Sequence, residues 1–222
     1  MPTVCVQGNW DFNFELQIRG KAGNSRIHNL ATTSMAISIY YLPGHGGQIS
    51  TGLGDGLLSR GFDVAGRETT GEFRKLRFTE QIELIAEDLQ TGYWHEEARV
   101  VANSFGAYLF LNAQRLMKPY VGKVLLLSPI IGEFSSDETR MGFIPPQAGK
   151  LMELAERGEY PVPNQCEIHV GAQDWQSNPK SVQSWAGKLG ITTTIVPNAG
   201  HMLGKDYVSA VWDRWLPAAE YC

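Results

Sequence analysis

The chain has few cysteines, no block of like charge and no long apolar run, and each shortage removes a class of protein. Cys5, Cys166 and Cys222 are odd in number and stand in no metal-ligand spacing, which suggests neither a disulfide scaffold nor a zinc site. Reduced, structurally incidental thiols are expected. Lys and Arg total 19 against 23 Asp and Glu, a formal net charge of −4, and the basic residues are scattered, so no nucleic-acid partner is expected. No apolar stretch approaches the roughly 18 to 20 residues that would cross a bilayer, so no membrane span is expected. Residues 1–13 lack the basic start and apolar stretch of a secretory leader, and a cytoplasmic location is expected. Internal repeats are absent. The glycine-rich turns match neither G-x-G-x-x-G nor G-x-x-x-x-G-K-[ST], which disfavours a dinucleotide or a P-loop nucleotide as ligand.

What is present is enough apolar material, 43% of residues, to bury one core in a single domain over residues 1–222. Strand-like and helix-like segments alternate, which predicts an α/β fold with a mostly parallel sheet and helices on both faces. Residues 12–18 alternate with period two and suit a starting antiparallel hairpin. Residues 35–42 have the β-branched and aromatic content of a buried strand, closed by Pro43-Gly44-His45-Gly46-Gly47. Further strands are predicted over 61–66, 99–102, 123–127, 166–170 and 191–196. Helices are predicted over 52–60, 79–90 with Thr79 as N-cap, 107–117, 147–157, 181–189 and 205–216. The polar, proline-interrupted stretch 133–160 reads as an insertion over the site. Its Phe134, Met141, Phe143, Ile144, Leu151 and Met152 either line a small lid or pack the segment onto the domain.

The strongest chemical signal is Ala102-Asn103-Ser104-Phe105-Gly106, which stands between an apolar strand and an apolar helix. A serine hydroxyl becomes a nucleophile only when a base takes its proton and N–H donors receive the oxyanion. A sharp G-x-S-x-G turn between strand and helix presents it so, and here alanine replaces the first glycine. An ordinary serine N-cap is the bland alternative. The glycine loop after the earlier strand would supply the second donor. The donors are read as the backbone N–H groups of Phe105 and Gly47, with Gln48 as the alternative register. His45 beside Gly46 suits a side chain that bonds to backbone and shapes that loop.

Asp174 and His201 each lie just past a predicted strand, where active-site groups of parallel sheets gather. Alone, the aspartate reads as a turn former and the histidine as a solvated loop residue. Together with Ser104 they give a nucleophile, an acid and a base on three post-strand loops in the order Ser, Asp, His. Phe105 and Trp175 flank these groups and either narrow a pocket or belong to the core.

Residues 35–216 resemble the α/β-hydrolase superfamily, and its small single-domain serine esterases in particular. The resemblance rests on His45-Gly46, the Asn103-Ser104-Phe105-Gly106 elbow, Asp174 with Pro179 after it, and Gly200-His201. It implies a three-layer sandwich around a mostly parallel sheet of about eight strands, and it makes Ser104, Asp174 and His201 a catalytic triad. The function so implied is hydrolysis of a small-molecule carboxylic ester through an acyl-enzyme, with no metal or organic cofactor. Thioesterase, amidase or acyltransferase activity on the same serine, and a non-catalytic binding protein on the same fold, are the alternatives.

Overall fold

The computed structural model describes residues 38–136 and 141–216. The expected starting hairpin over 12–18, the first residues of the strand expected over 35–42, and two of the three cysteines lie outside the described residues.

The elements run β1 (Ser38–Leu42), α1 (Leu53–Leu58), β2 (Asp63–Gly66), α2 (Gly71–Lys75), α3 (Phe78–Gly92), β3 (Arg99–Asn103), α4 (Ser104–Gln114) and β4 (Lys123–Leu127). They continue with β5 (Phe134–Ser136), β6 (Met141–Phe143), α5 (Lys150–Arg157), β7 (Gln165–Gly171), α6 (Pro179–Leu189), β8 (Thr192–Val196) and α7 (Lys205–Trp215). Six strands form one sheet in the order β2-β1-β3-β4-β7-β8, and every pairing in it is parallel. About eight were expected; among the described residues the main sheet has six. β5 and β6 form a separate antiparallel pair.

The period-two side-chain alternation of the strands builds two cores. Tyr40, Leu42, Val100, Ala102, Val124, Leu126, Ile168 and Val170 point to one face, where Ile82, Ile85 and Leu89 of α3, the buried side of α4, and Val182 and Trp185 of α6 cover them. Ile39, Tyr41, Val101, Leu125 and Leu127 point the other way, onto Leu57 of α1 and Val208, Val211 and Trp212 of α7. The result is three layers with the sheet in the middle.

Several boundaries differ from expectation for local reasons. α3 starts at Phe78 with Arg77, two residues before Thr79, as its N-cap, because Arg77 N–H donates to Glu80 Oε2 at 2.9 Å and closes the first turn there. α6 starts at Pro179, capped by Asn178, whose Oδ1 accepts from the N–H groups of Lys180 and Ser181 at 3.0 and 3.3 Å. α5 starts at Lys150, not at Gln147, because Gln147 holds a left-handed backbone at φ 61° that no right-handed helix contains. The 133–160 stretch therefore holds a hairpin, which was not expected, followed by one short helix.

Candidate active site

Parallel strands end on a common edge, so the loops after β1, β3, β7 and β8 converge there. At the end of β3 the chain turns straight into α4, and Ser104 takes the strained value φ 52°. Two contacts hold the turn: Tyr41 Oη donates to Asn103 Oδ1 at 2.9 Å, and Ile130 N–H donates to Ser104 O at 3.3 Å. The turn also presses against the end of β1. A Cβ on Gly106 would stand 2.2 Å from Leu42 O and 2.4 Å from Pro43 O, so no side chain fits there. Ala102, by contrast, is a fully buried strand residue whose methyl joins the core. The motif's second glycine is therefore obligatory here, while its first position accommodates a methyl.

Asp174 follows β7 in a turn in which Asp174 N–H donates to Gly171 O at 3.1 Å. This acid loop is laced to the histidine loop, since Ala172 N–H donates to Val196 O and Gln173 N–H to Ala199 O, both at 2.9 Å. A Cβ on Gly171 would lie 2.2 Å from Gly200 O, so that close approach also needs glycine. Asn198 at φ 57° turns the chain after β8 back toward the acid loop.

These loops bring the three expected side chains together. Ser104 Oγ lies 2.8 Å from His201 Nε2, and His201 Nδ1 lies 3.0 Å from both Oδ1 and Oδ2 of Asp174. Asp174 is buried, and its Oδ1 also accepts the N–H groups of Gln176 at 3.0 Å and Ser177 at 2.8 Å. Carboxylate oxygens placed in this way accept from Nδ1, which directs a proton onto that nitrogen and leaves the Nε2 lone pair facing the serine. This arrangement can take a proton from Ser104 without any rearrangement.

The glycine loop corrects one expectation. Gly47 N–H is already bonded within the loop, to Gly44 O at 2.9 Å and to Thr69 Oγ1 at 3.0 Å, so it has no proton to offer an oxyanion. Thr69 Oγ1 in turn donates to Gly44 O and clasps the turn shut. The contact with the serine comes three residues earlier, where a Cβ on Gly44 would lie 3.2 Å from Ser104 Cβ and 3.6 Å from its Oγ. Among the described residues, the N–H groups of His45, Gln48 and Phe105 have no hydrogen-bond partner. The His45 ring does not bond to backbone as expected. It is exposed and stands edge-on to Phe105, with ring centres 5.9 Å apart. The tight turn at Gly46, φ 75°, follows it.

A row of aromatic rings borders the site. Trp175, next to Asp174, meets Phe134 at 5.6 Å; Phe134 meets Phe143 at 5.6 Å; and Phe143 meets Phe105, next to Ser104, at 6.1 Å. The β5–β6 pair thus supplies the middle of a wall that runs from the acid loop to the elbow. Of the other apolar residues of 133–160, Leu151 is buried and Met152 packs on the core, while Met141 and Ile144 are 60% and 74% exposed. Among the described residues, no group of three or more His, Cys, Asp and Glu could hold a metal ion, and no helix is long and apolar enough to cross a membrane.

No family model and no curated protein matches the chain. Solved structures do. The carboxylesterase CesB (YbfK) from Bacillus subtilis is 14% identical over 83% of this chain and 84% of its own, with a TM-score of 0.59. The ydeN gene product of B. subtilis is 14% identical over 80% and 95%, with a TM-score of 0.55. Esterase PE8 is 15% identical over 82% and 94%, with a TM-score of 0.53. With its parallel six-stranded sheet between two helical layers, the chain has the α/β-hydrolase fold.

Proposed function

We propose that the protein is a serine hydrolase that cleaves a carboxylic ester through an acyl-enzyme. The observation that carries this reading is the continuous hydrogen-bonded line from Ser104 Oγ through His201 to the buried Asp174 carboxylate. His201 Nε2 takes the Ser104 proton as Oγ attacks the ester carbonyl, and the same nitrogen then protonates the departing alcohol. Water, deprotonated by His201, releases the acid in a second round. Asp174 holds the imidazole with its proton on Nδ1 and stabilises the imidazolium.

The oxyanion donors are assigned to Phe105 N–H, at the start of α4, and His45 N–H, immediately after the Gly44 contact with Ser104. Both N–H groups are unengaged among the described residues, whereas that of Gly47 is not. The aromatic wall favours an ester with an apolar acyl group, laid against Phe143 and Phe134. Esterases among the structures of like fold agree with this reading.

The test is labelling with a fluorophosphonate probe followed by peptide mapping. Wild-type protein should be modified at Ser104, and Ser104→Ala and His201→Ala should not react. Folded wild-type protein that stays unlabelled at Ser104 would sink the assignment.

A further inference from the structure

Behind the proposed triad lies a second polar pair that the chemistry above does not use. Ser177 is 1% exposed and Ser128 3% exposed. Ser128, at the end of β4, holds the left-handed value φ 45°, and its carbonyl receives the Ser177 hydroxyl at 2.6 Å. The Ser177 Oγ also lies 3.4 Å from His201 Nδ1. A carbonyl can only accept, so the single Ser177 proton is committed to Ser128 O. Toward the histidine, Ser177 Oγ then presents lone pairs alone.

We infer that Ser177 is a positioning residue, a second acceptor that keeps the proton of His201 on Nδ1 independently of the Asp174 carboxylate. The inference rests on the assignment of His201 as the base. Its logic is a count of protons along one chain: Ser128 O accepts from Ser177, Ser177 accepts from Nδ1, and Nε2 is left bare toward Ser104. Asp174 gives the same instruction by charge. Ser177 gives it by a hydrogen bond that the Ser128 carbonyl, just past β4, enforces, and it continues to do so when the carboxylate is neutralised. An amide in place of Asp174 could turn its NH2 toward the imidazole and favour the inverted tautomer, which leaves Ser104 without a base. Ser177 opposes that inversion.

The experiment has a kinetic and a spectroscopic arm. With p-nitrophenyl acetate, Ser177→Ala should lower kcat about fivefold with KM unchanged, as expected for the loss of one weak hydrogen bond to a group that becomes charged in the transition state. Ser177→Thr, which keeps the hydroxyl, should recover most of that loss. In an Asp174→Asn background, adding Ser177→Ala should cost about a further tenfold or more, exceeding its effect in the wild type. The 15N spectrum of His201, recorded in the Ser104→Ala background where no turnover is needed, should show the proton on Nδ1 in Asp174→Asn and a shift toward Nε2 when Ser177→Ala is added. Equal tautomer populations with and without Ser177 would overturn the inference, as would unchanged kcat in Ser177→Ala. A wild type that fails to react at Ser104 would instead overturn the triad assignment, and the 15N comparison would still be readable.

Discussion

Ser104 and Gly106 show how much of the turn between β3 and α4 is decided by single atoms. The serine accepts a left-handed backbone that L-residues avoid, and α4 can hold it there only because Gly106 has no Cβ to strike the carbonyls that end β1. Gly106→Ala would put a methyl inside contact distance of two backbone oxygens, which neighbours can relieve only by moving the elbow. We expect a loss of about 2 kcal/mol of stability in urea and at least about a hundredfold slower fluorophosphonate labelling. Labelling at the wild-type rate would show that the turn does not need this close approach. At this scale the sequence was readable where a residue's role follows from its neighbours in the chain. Ser104 stands directly after the apolar strand β3, Asp174 and His201 stand on the loops that follow β7 and β8, and the structure brings them together. It was unreadable where the role depends on distant partners. The Gly44–Gly47 turn that engages Gly47 N–H is clasped by Thr69, 22 residues on, and Ser177 meets Ser128 across 49 residues, which no local pattern announces.

Among the elements, the β5–β6 pair has the largest consequence for the proposed ester substrate and was the hardest to foresee. Its strands are three residues each, Phe134–Ser136 and Met141–Phe143, too short for an alternation pattern to register. The long apolar strands β1, β3 and β4, by contrast, were evident from composition, because burial on both faces demands continuous apolar runs. α6 starts two residues before the expected 181–189, because Asn178 caps it and Pro179 takes its first position. Because Phe143 connects Phe134 to Phe105, its removal opens the middle of the aromatic wall. The preference for longer acyl chains should depend on it, at about 0.8 kcal/mol for each methylene buried. Phe143→Ala, which uncovers about one methylene's worth of the chain, should therefore reduce the ratio of kcat/KM for p-nitrophenyl hexanoate over acetate by about fourfold, with the acetate rate little changed. An unaltered ratio would place the acyl chain elsewhere.

Across the whole molecule, the proposed base is only as well placed as α7, which follows the histidine loop and is tied back to the sheet by polar contacts. Glu167 of β7 accepts from Arg214 of α7 at 2.8 and 3.3 Å, and His169 of β7 meets Tyr207 of α7 at 2.7 Å and Glu167 at 3.1 Å. Burial alone would raise the Glu167 carboxyl, but the hydrogen bonds and charge of Arg214, together with the hydrogen bond to His169, outweigh it and hold the group below its ordinary 4.5. A carboxylate depressed in the folded state stabilises that state fully above the unfolded value and ceases to do so as pH falls through the folded one. The contribution should thus be complete above about pH 4.5 and disappear progressively below it. Arg214 is more than half exposed and the pair borders an open cleft of about 510 Å³ with Lys123 and Thr192, so the gain is modest, about 0.5 to 1 kcal/mol. Urea midpoints measured at pH 7, 5, 4 and 3 should place Glu167→Gln below wild type by that amount at pH 7, with the gap shrinking steadily as the pH falls below about 4.5. A gap independent of pH would mean that the side chain stabilises α7 by packing and hydrogen bonding alone, without its charge.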